Sequence, residues 1–221
     1  MKRKTWLSGG ILATSLLLGG QAAQAAMMTY DTWETNENDT GNYIFQIDDN
    51  DAGLFNYNLT VDPWNAEALG LFLDFGTSAA DASAPAITGA NVSLFGRNQA
   101  SDGCGAGCNL NGLAIPDFDG VWSLVFRLGA QGFDNIQTFS WSSSNFGLSL
   151  EDLGVVGIRA QQLCSGDATL DNGDDGCGGS DKAYGSATTP PNEVPEPGTL
   201  ALIALGLLAI GVRRWNANHK H

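Results

Sequence analysis

The sequence predicts an all-β body, an antiparallel β-sandwich of jelly-roll or Ig-like topology. Three observations lead there: repeated apolar/polar alternation of period two, clusters of Gly, Asn, Asp and Ser between the alternating runs, and the lack of any long amphipathic helical pattern to separate the strands. Glycine is abundant, 29 of 221 residues, and only 15% of the chain is charged. That composition suits short strands and tight turns better than a helical bundle.

In NYIFQID (42–48), Tyr43, Phe45 and Ile47 share one side. In GLFNYNLTV (53–61), Phe55, Tyr57, Leu59 and Val61 face one way and Asn56, Asn58 and Thr60 the other. The DNDAG between these runs has hairpin chemistry. DPWNAEALG reads as the one helical turn, with Asp62 as cap, Pro63 at the first helical position and Gly70 as the stop. LGLFLDF (69–75) and VWSLVFRL (121–128) are nearly continuous apolar runs, as strands buried on both faces would be. NVSLF (91–95), IQTFSW (136–141), FGLSL (146–150) and VVGIRAQQL (155–163) complete a set of eight strands.

The ends are of another kind. Lys2, Arg3 and Lys4 precede an apolar run from Trp6 to Gly20, followed by small residues at Ala23 and Ala25. This is the layout of a secretory signal peptide over residues 1–25, cleaved after Ala25. The exported domain then covers 26–189, and a solvated Pro-rich linker covers 190–197. Pro195 and Pro197 hold the backbone extended around Glu196. An apolar run of 15 residues, Gly198 to Val212, is followed by Arg213 and Arg214. As a helix it would reach only about 22 Å, short for a bilayer core, so a transmembrane segment at 198–215 would need snorkelling arginines and the interfacial Trp215. Residues 216–221 would be a short cytoplasmic tail.

The order of Pro195-Glu196-Pro197, apolar span, Arg213 and Arg214 resembles the PEP-CTERM sorting signal of Gram-negative bacteria. The resemblance covers about 25 residues and leaves the body unrecognised. It implies an exported protein, anchored in the inner membrane before processing, with an exosortase and the secretion machinery as partners. It further implies a destination at the cell surface or in the exopolysaccharide matrix of a biofilm.

Cys104, Cys108, Cys164 and Cys177 all fall in the exported domain, where an even count reads as two disulfides. Three pairings are open, and the local one closes two loops. C-x3-C and C-x12-C with no histidine nearby make a poor zinc pattern. Both histidines, His219 and His221, follow the apolar tail, so Ser-His-Asp and Cys-His catalysis are excluded for the body. The function expected is therefore non-enzymatic. A carboxylate-based glycan hydrolase is the enzymatic alternative, although Glu34, Glu37, Glu67 and Glu151 sit in no motif.

Calcium is the one cofactor the residues suggest, because clustered hard oxygens on Gly-bearing loops are what it prefers. Asp171, Asp174, Asp175 and Asp181 are the ligand candidates, and Asp48, Asp49, Asn50 and Asp51 form a second cluster. The first departs from an EF-hand, with Gly173 at a ligand position and Lys182 at the twelfth. A carbohydrate-binding module with calcium-dependent glycan contact is the alternative function. It would stack sugar on exposed tryptophans, for which Trp33 and Trp141 are the candidates, whereas Trp122 belongs in the core. The formal charge is −14, with 24 acidic and 10 basic residues. The segment left after processing, 26–196, keeps all 24 acids and only four bases, a net −20. Nucleic acid is excluded as a partner, and anionic polysaccharide would need divalent cations to bridge it.

Overall fold

The computed structural model of the protein describes residues 26–49, 53–80, 87–172 and 176–187. The expected signal peptide at 1–25, the linker at 190–197, the transmembrane segment at 198–215 and the tail at 216–221 lie outside these residues. Ten strands are present: β1 Met27–Tyr30, β2 Trp33–Thr35, β3 Tyr43–Asp48, β4 Leu54–Val61, β5 Glu67–Asp74, β6 Val92–Gln99, β7 Trp122–Leu128, β8 Thr138–Ser144, β9 Val155–Cys164 and β10 Cys177–Ser186. Every pairing between them is antiparallel. They form a four-stranded sheet in the order β1-β3-β4-β8 and a six-stranded sheet in the order β2-β10-β9-β5-β7-β6.

The two sheets share one core, which makes the body a β-sandwich. Its centre is aromatic: Tyr57 of β4 stacks on Trp141 of β8 at 4.8 Å and meets Phe126 of β7 edge-on at 5.1 Å. Such tilted and offset rings add stability beyond the area they bury. The alternation of the sequence is what aims them inward. In β4 every second residue, Phe55 to Val61, is buried while its neighbours are partly exposed.

β5 is buried along its whole length, as its continuous apolar run implied. Leu71 and Leu73 face the main core, whereas Leu69 and Phe72 face a second, smaller cluster with Cys104, Cys108, Leu110, Trp122 and Val125. The long connection from β6 to β7 therefore folds back over the outside of the six-stranded sheet. A four-on-six arrangement is neither the four-on-three of a constant Ig domain nor an eight-stranded jelly roll. The expectation thus narrows to the sandwich itself.

Three local expectations are corrected. The turn at 62–70 is not helical: β5 begins at Glu67, and the carbonyls of Trp64 and Asn65 accept hydrogen bonds from the Leu170 and Cys164 amides. That backbone is taken up by tertiary partners rather than by a helical ladder. FGLSL is not a strand either. Phe146, Leu148 and Leu150 are buried, but Phe146 and Gly147 form a turn with positive φ, 52° and 73°, and the segment runs into a short 3-10 turn at Leu150 instead of joining a ladder. Finally β1, β2 and β10 were not legible from alternation. β10, CGGSDKAYGS, is held against β9 over nine register pairs, with the Cys164–Cys177 disulfide at the end of the ladder.

No helix among the described residues is long and apolar enough to cross a membrane.

Candidate functional site

The segment joining β2 to β3 forms one wall of an open cleft, lined by Asp31, Thr32, Trp33, Thr40, Gly41, Asn42, Tyr43, Ile44 and Asp62. Its shape is set from below by Asp181 of β10. That side chain is fully buried, and its Oδ2 accepts three hydrogen bonds: from Thr40 Oγ1 at 2.8 Å, the Gly41 amide at 2.9 Å and the Tyr43 hydroxyl at 2.7 Å. Hydrogen bonds to a charged acceptor are the stronger kind, so a single carboxylate fixes the loop, the first residue of β3 and the cleft floor together. Gly41 has to be glycine here, because a Cβ would come within 2.3 Å of the Tyr43 ring.

Around the same carboxylate lies Arg159 of β9, whose guanidinium donates to the Asp181 carbonyl at 2.9 Å and to that of Ala160. Burial lowers the Arg159 pKa, and Glu37, Tyr43 and Asp181 oppose that fall. Burial, with the Asp181 charge behind it, pushes the Tyr43 hydroxyl well above its ordinary value. Tyr43 is therefore a donor, not an acid, at any physiological pH.

Trp33 is half-buried and rigidly held. Its indole N–H donates to the Tyr43 carbonyl at 2.7 Å. Its ring meets Tyr43 edge-on at 5.5 Å and lies over Gly185 of β10, where a Cβ would come within 3.2 Å of it. Asp31, Thr32, Asn42 and Asp62 on the rim are exposed. The cleft thus offers one oriented aromatic surface, two carboxylates, an amide and three hydroxyls, of which those of Thr40 and Tyr43 already donate to Asp181, and no basic group lines it. Trp141, the other sugar-stacking candidate, is only 4% exposed and belongs to the core.

The residues proposed for calcium fare differently. Asp171 is exposed on a short 3-10 turn, Leu170–Asn172. Asp174 and Asp175 lie outside the described residues. Asp181 sits in mid-strand, with one oxygen fully engaged, so the stretch read as a single loop is divided between a turn and β10. In the second cluster Asp48 accepts from Asn56 Nδ2 at 3.0 Å and Asp49 from the Ala26 amide at 2.7 Å. Asn50 and Asp51 fall outside the description. Among the described residues no group of three or more His, Cys, Asp or Glu is placed to hold a metal ion.

The cysteines pair locally, Cys104 with Cys108 and Cys164 with Cys177. The first pair packs beneath the β6–β7 connection, against Gly70. The second staples β9 to β10 where they diverge.

Glu67, which sits in no sequence motif, has a structural role. It is 1% exposed, and its carboxylate accepts from the amides of Asp134 and Asn135 at 2.8 and 3.0 Å and from Gln161 Nε2 at 3.2 Å. It is a clamp on the β7–β8 connection. Burial raises its pKa, the Asp134 and Asn135 amides act against that, and the Asp134 carboxyl adds to the rise. The only signal available was a charged residue two positions before the apolar run that begins at Leu69.

Ala23, Ala25, Pro195, Glu196, Pro197, Arg213 and Arg214 lie outside the described residues. No curated protein and no solved structure matches the chain. A family model does match its C-terminal part: residues 193–214 carry the PEP-CTERM protein-sorting motif, which marks an exported, envelope-targeted exosortase substrate, and the body before the motif belongs to no recognised family.

Proposed function

We propose that the protein is a non-enzymatic component of the cell surface or of an extracellular polysaccharide matrix. A signal peptidase releases it after Ala25, the segment 198–215 anchors it transiently in the inner membrane, and an exosortase cuts it near Pro195–Pro197. The match over residues 193–214 carries this reading. The start of the body is consistent with it. The Ala26 nitrogen donates to Asp49 Oδ1 at 2.7 Å, so cleavage after Ala25 would turn a neutral amide into an ammonium group already facing a carboxylate. The chemistry of the body agrees as well, since it has no histidine and only one lysine, Lys182. In cells lacking the exosortase, the chain should accumulate in the membrane fraction with its C-terminal segment intact. Unchanged processing in those cells would refute the assignment.

Carbohydrate binding is the second reading, favoured by the Trp33 cleft. An indole held by Tyr43 and Gly185, beside polar groups that accept from hydroxyls, suits a sugar ring. A hydrolase would rest on Asp31 and Asp62 alone, both exposed on the rim, without the buried acid that glycoside cleavage calls for.

A further inference from the structure

The Trp33 cleft has a charge as well as a shape. Of its polar side chains, Asp31 and Asp62 are carboxylates, Thr32, Thr40, Asn42 and Tyr43 are neutral, and none is cationic. It also belongs to a body whose processed segment carries 24 acids against four bases. None of the described basic residues lines the cleft. Arg97 donates to the Ala80 carbonyl at 2.6 Å, Arg127 to the Ala106 carbonyl at 3.1 Å and Lys182 to the Asn111 carbonyl at 2.7 Å. Arg159, the nearest, is turned to backbone carbonyls behind Tyr43 and donates to that of Asp181 at 2.9 Å. An anionic ligand would therefore enter against the local and the global field.

An indole face and carboxylates favour the same kind of guest. The ring quadrupole attracts a cation over the face, and each carboxylate accepts only from donors, either an ammonium group or a hydroxyl. A ligand with several hydroxyls and one positive charge satisfies all of these groups at once. A neutral sugar can donate its hydroxyls to the same carboxylates, but it brings no positive charge to meet theirs or the ring quadrupole. From this we infer that the cleft binds an amino sugar with a free ammonium group, as a residue of a polysaccharide whose amines are not acetylated. This rests on the carbohydrate-binding reading above and sharpens it to one chemical class. No metal is required, because the carboxylates meet the ligand directly.

Rigidity is part of the case. Trp33 is held by Tyr43 and Gly185, and the opposite wall by Asp181 through Thr40, Gly41 and Tyr43. Little side-chain freedom is left to lose on binding, and such preorganisation lowers the cost of association.

The test is calorimetric titration of the full-length chain, purified in a detergent without a sugar headgroup, with three β-1,4-linked trisaccharides: of glucosamine, of N-acetylglucosamine and of glucose. The glucosamine trimer should bind at least roughly tenfold tighter than either neutral trimer, equivalent to about 1.4 kcal/mol. Its binding should weaken as salt rises and be unchanged by EDTA. Asp31→Asn with Asp62→Asn should abolish the preference for the free amine. Asp117→Asn with Asp119→Asn, an equal charge change outside the cleft, should leave it intact. Trp33→Ala should weaken all three sugars, with Trp33→Phe as a conservative companion should the alanine variant fail to fold. Equal affinity for the three trimers, binding lost in EDTA, or equal effects of the two aspartate pairs would overturn the amino-sugar assignment. Absence of binding to every trimer would overturn the carbohydrate reading itself, while exosortase processing, measured separately, would stand.

Discussion

At the scale of single residues, two buried carboxylates organise the molecule. Asp181 ties the cleft wall to β10, and Glu67 ties the β7–β8 connection to β5. Glu67 also gives the fold a pH signature with a definite sign. Its pKa is raised by burial and by the neighbouring Asp134 carboxyl, against the pull of two backbone amides. The folded chain therefore keeps a proton there at pH values where the unfolded chain has lost it. The stabilisation is present in acid, within and below the ordinary carboxylate range, and is lost as pH rises through the raised value. Denaturant titrations of wild type and Glu67→Gln between about pH 4 and pH 7 should show wild type gaining on the variant as pH falls. A difference that does not change with pH would remove Glu67 from this role. Neither carboxylate was readable beforehand, for opposite reasons. Asp181 stands among glycines and acids, where exposure is the ordinary expectation, and Glu67 has no motif to mark it.

At the scale of elements, legibility followed the pleat. β3, β4, β5, β7 and β9 were visible because one or both faces are buried against hydrophobic partners, so the side-chain pattern is the structure. β10 was invisible because its partners supply what its sequence lacks. Its backbone is templated by β9, its end is stapled by Cys164–Cys177, and its buried positions include Asp181, Ala183 and Gly185. FGLSL shows the converse: inward-facing Phe146, Leu148 and Leu150 satisfied burial without a ladder. The Cys104–Cys108 loop makes an element-scale prediction. A Cβ on Gly70 would overlap both sulfurs, and the bridge they form cannot swing aside as a flexible side chain would. Gly70→Ala should cost about 1–3 kcal/mol, measured by urea denaturation. The cost should largely vanish in a Cys104→Ala, Cys108→Ala background, because the coupling is local. A full penalty in that background would place the strain elsewhere.

For the whole molecule, the sandwich is followed in the chain by the PEP-CTERM sorting motif, which marks it for export, and it is preceded by the signal peptide proposed for residues 1–25. The six basic residues of the ends are discarded by the processing proposed here, and four bases remain to set against 24 acids. That imbalance makes copies of the processed chain repel one another, and it makes the cleft beside Trp33 a place for cations rather than anions. The two disulfides fit the same destination, since such bonds persist outside the reducing cytoplasm. Sequence alone was most informative about destination, because sorting signals are local patterns read by other proteins. It was least informative about the cleft, which is assembled from residues 31–44, Asp62 and the buried Asp181. The account is tested most directly by the intact mass of the protein recovered from the surface of its own cells. It predicts a chain that begins at Ala26, ends near Pro195–Pro197 and is lighter by two hydrogens for each of the two disulfides. A mass that still includes Met1, or that runs through Arg213 and Arg214 to His221, would contradict it.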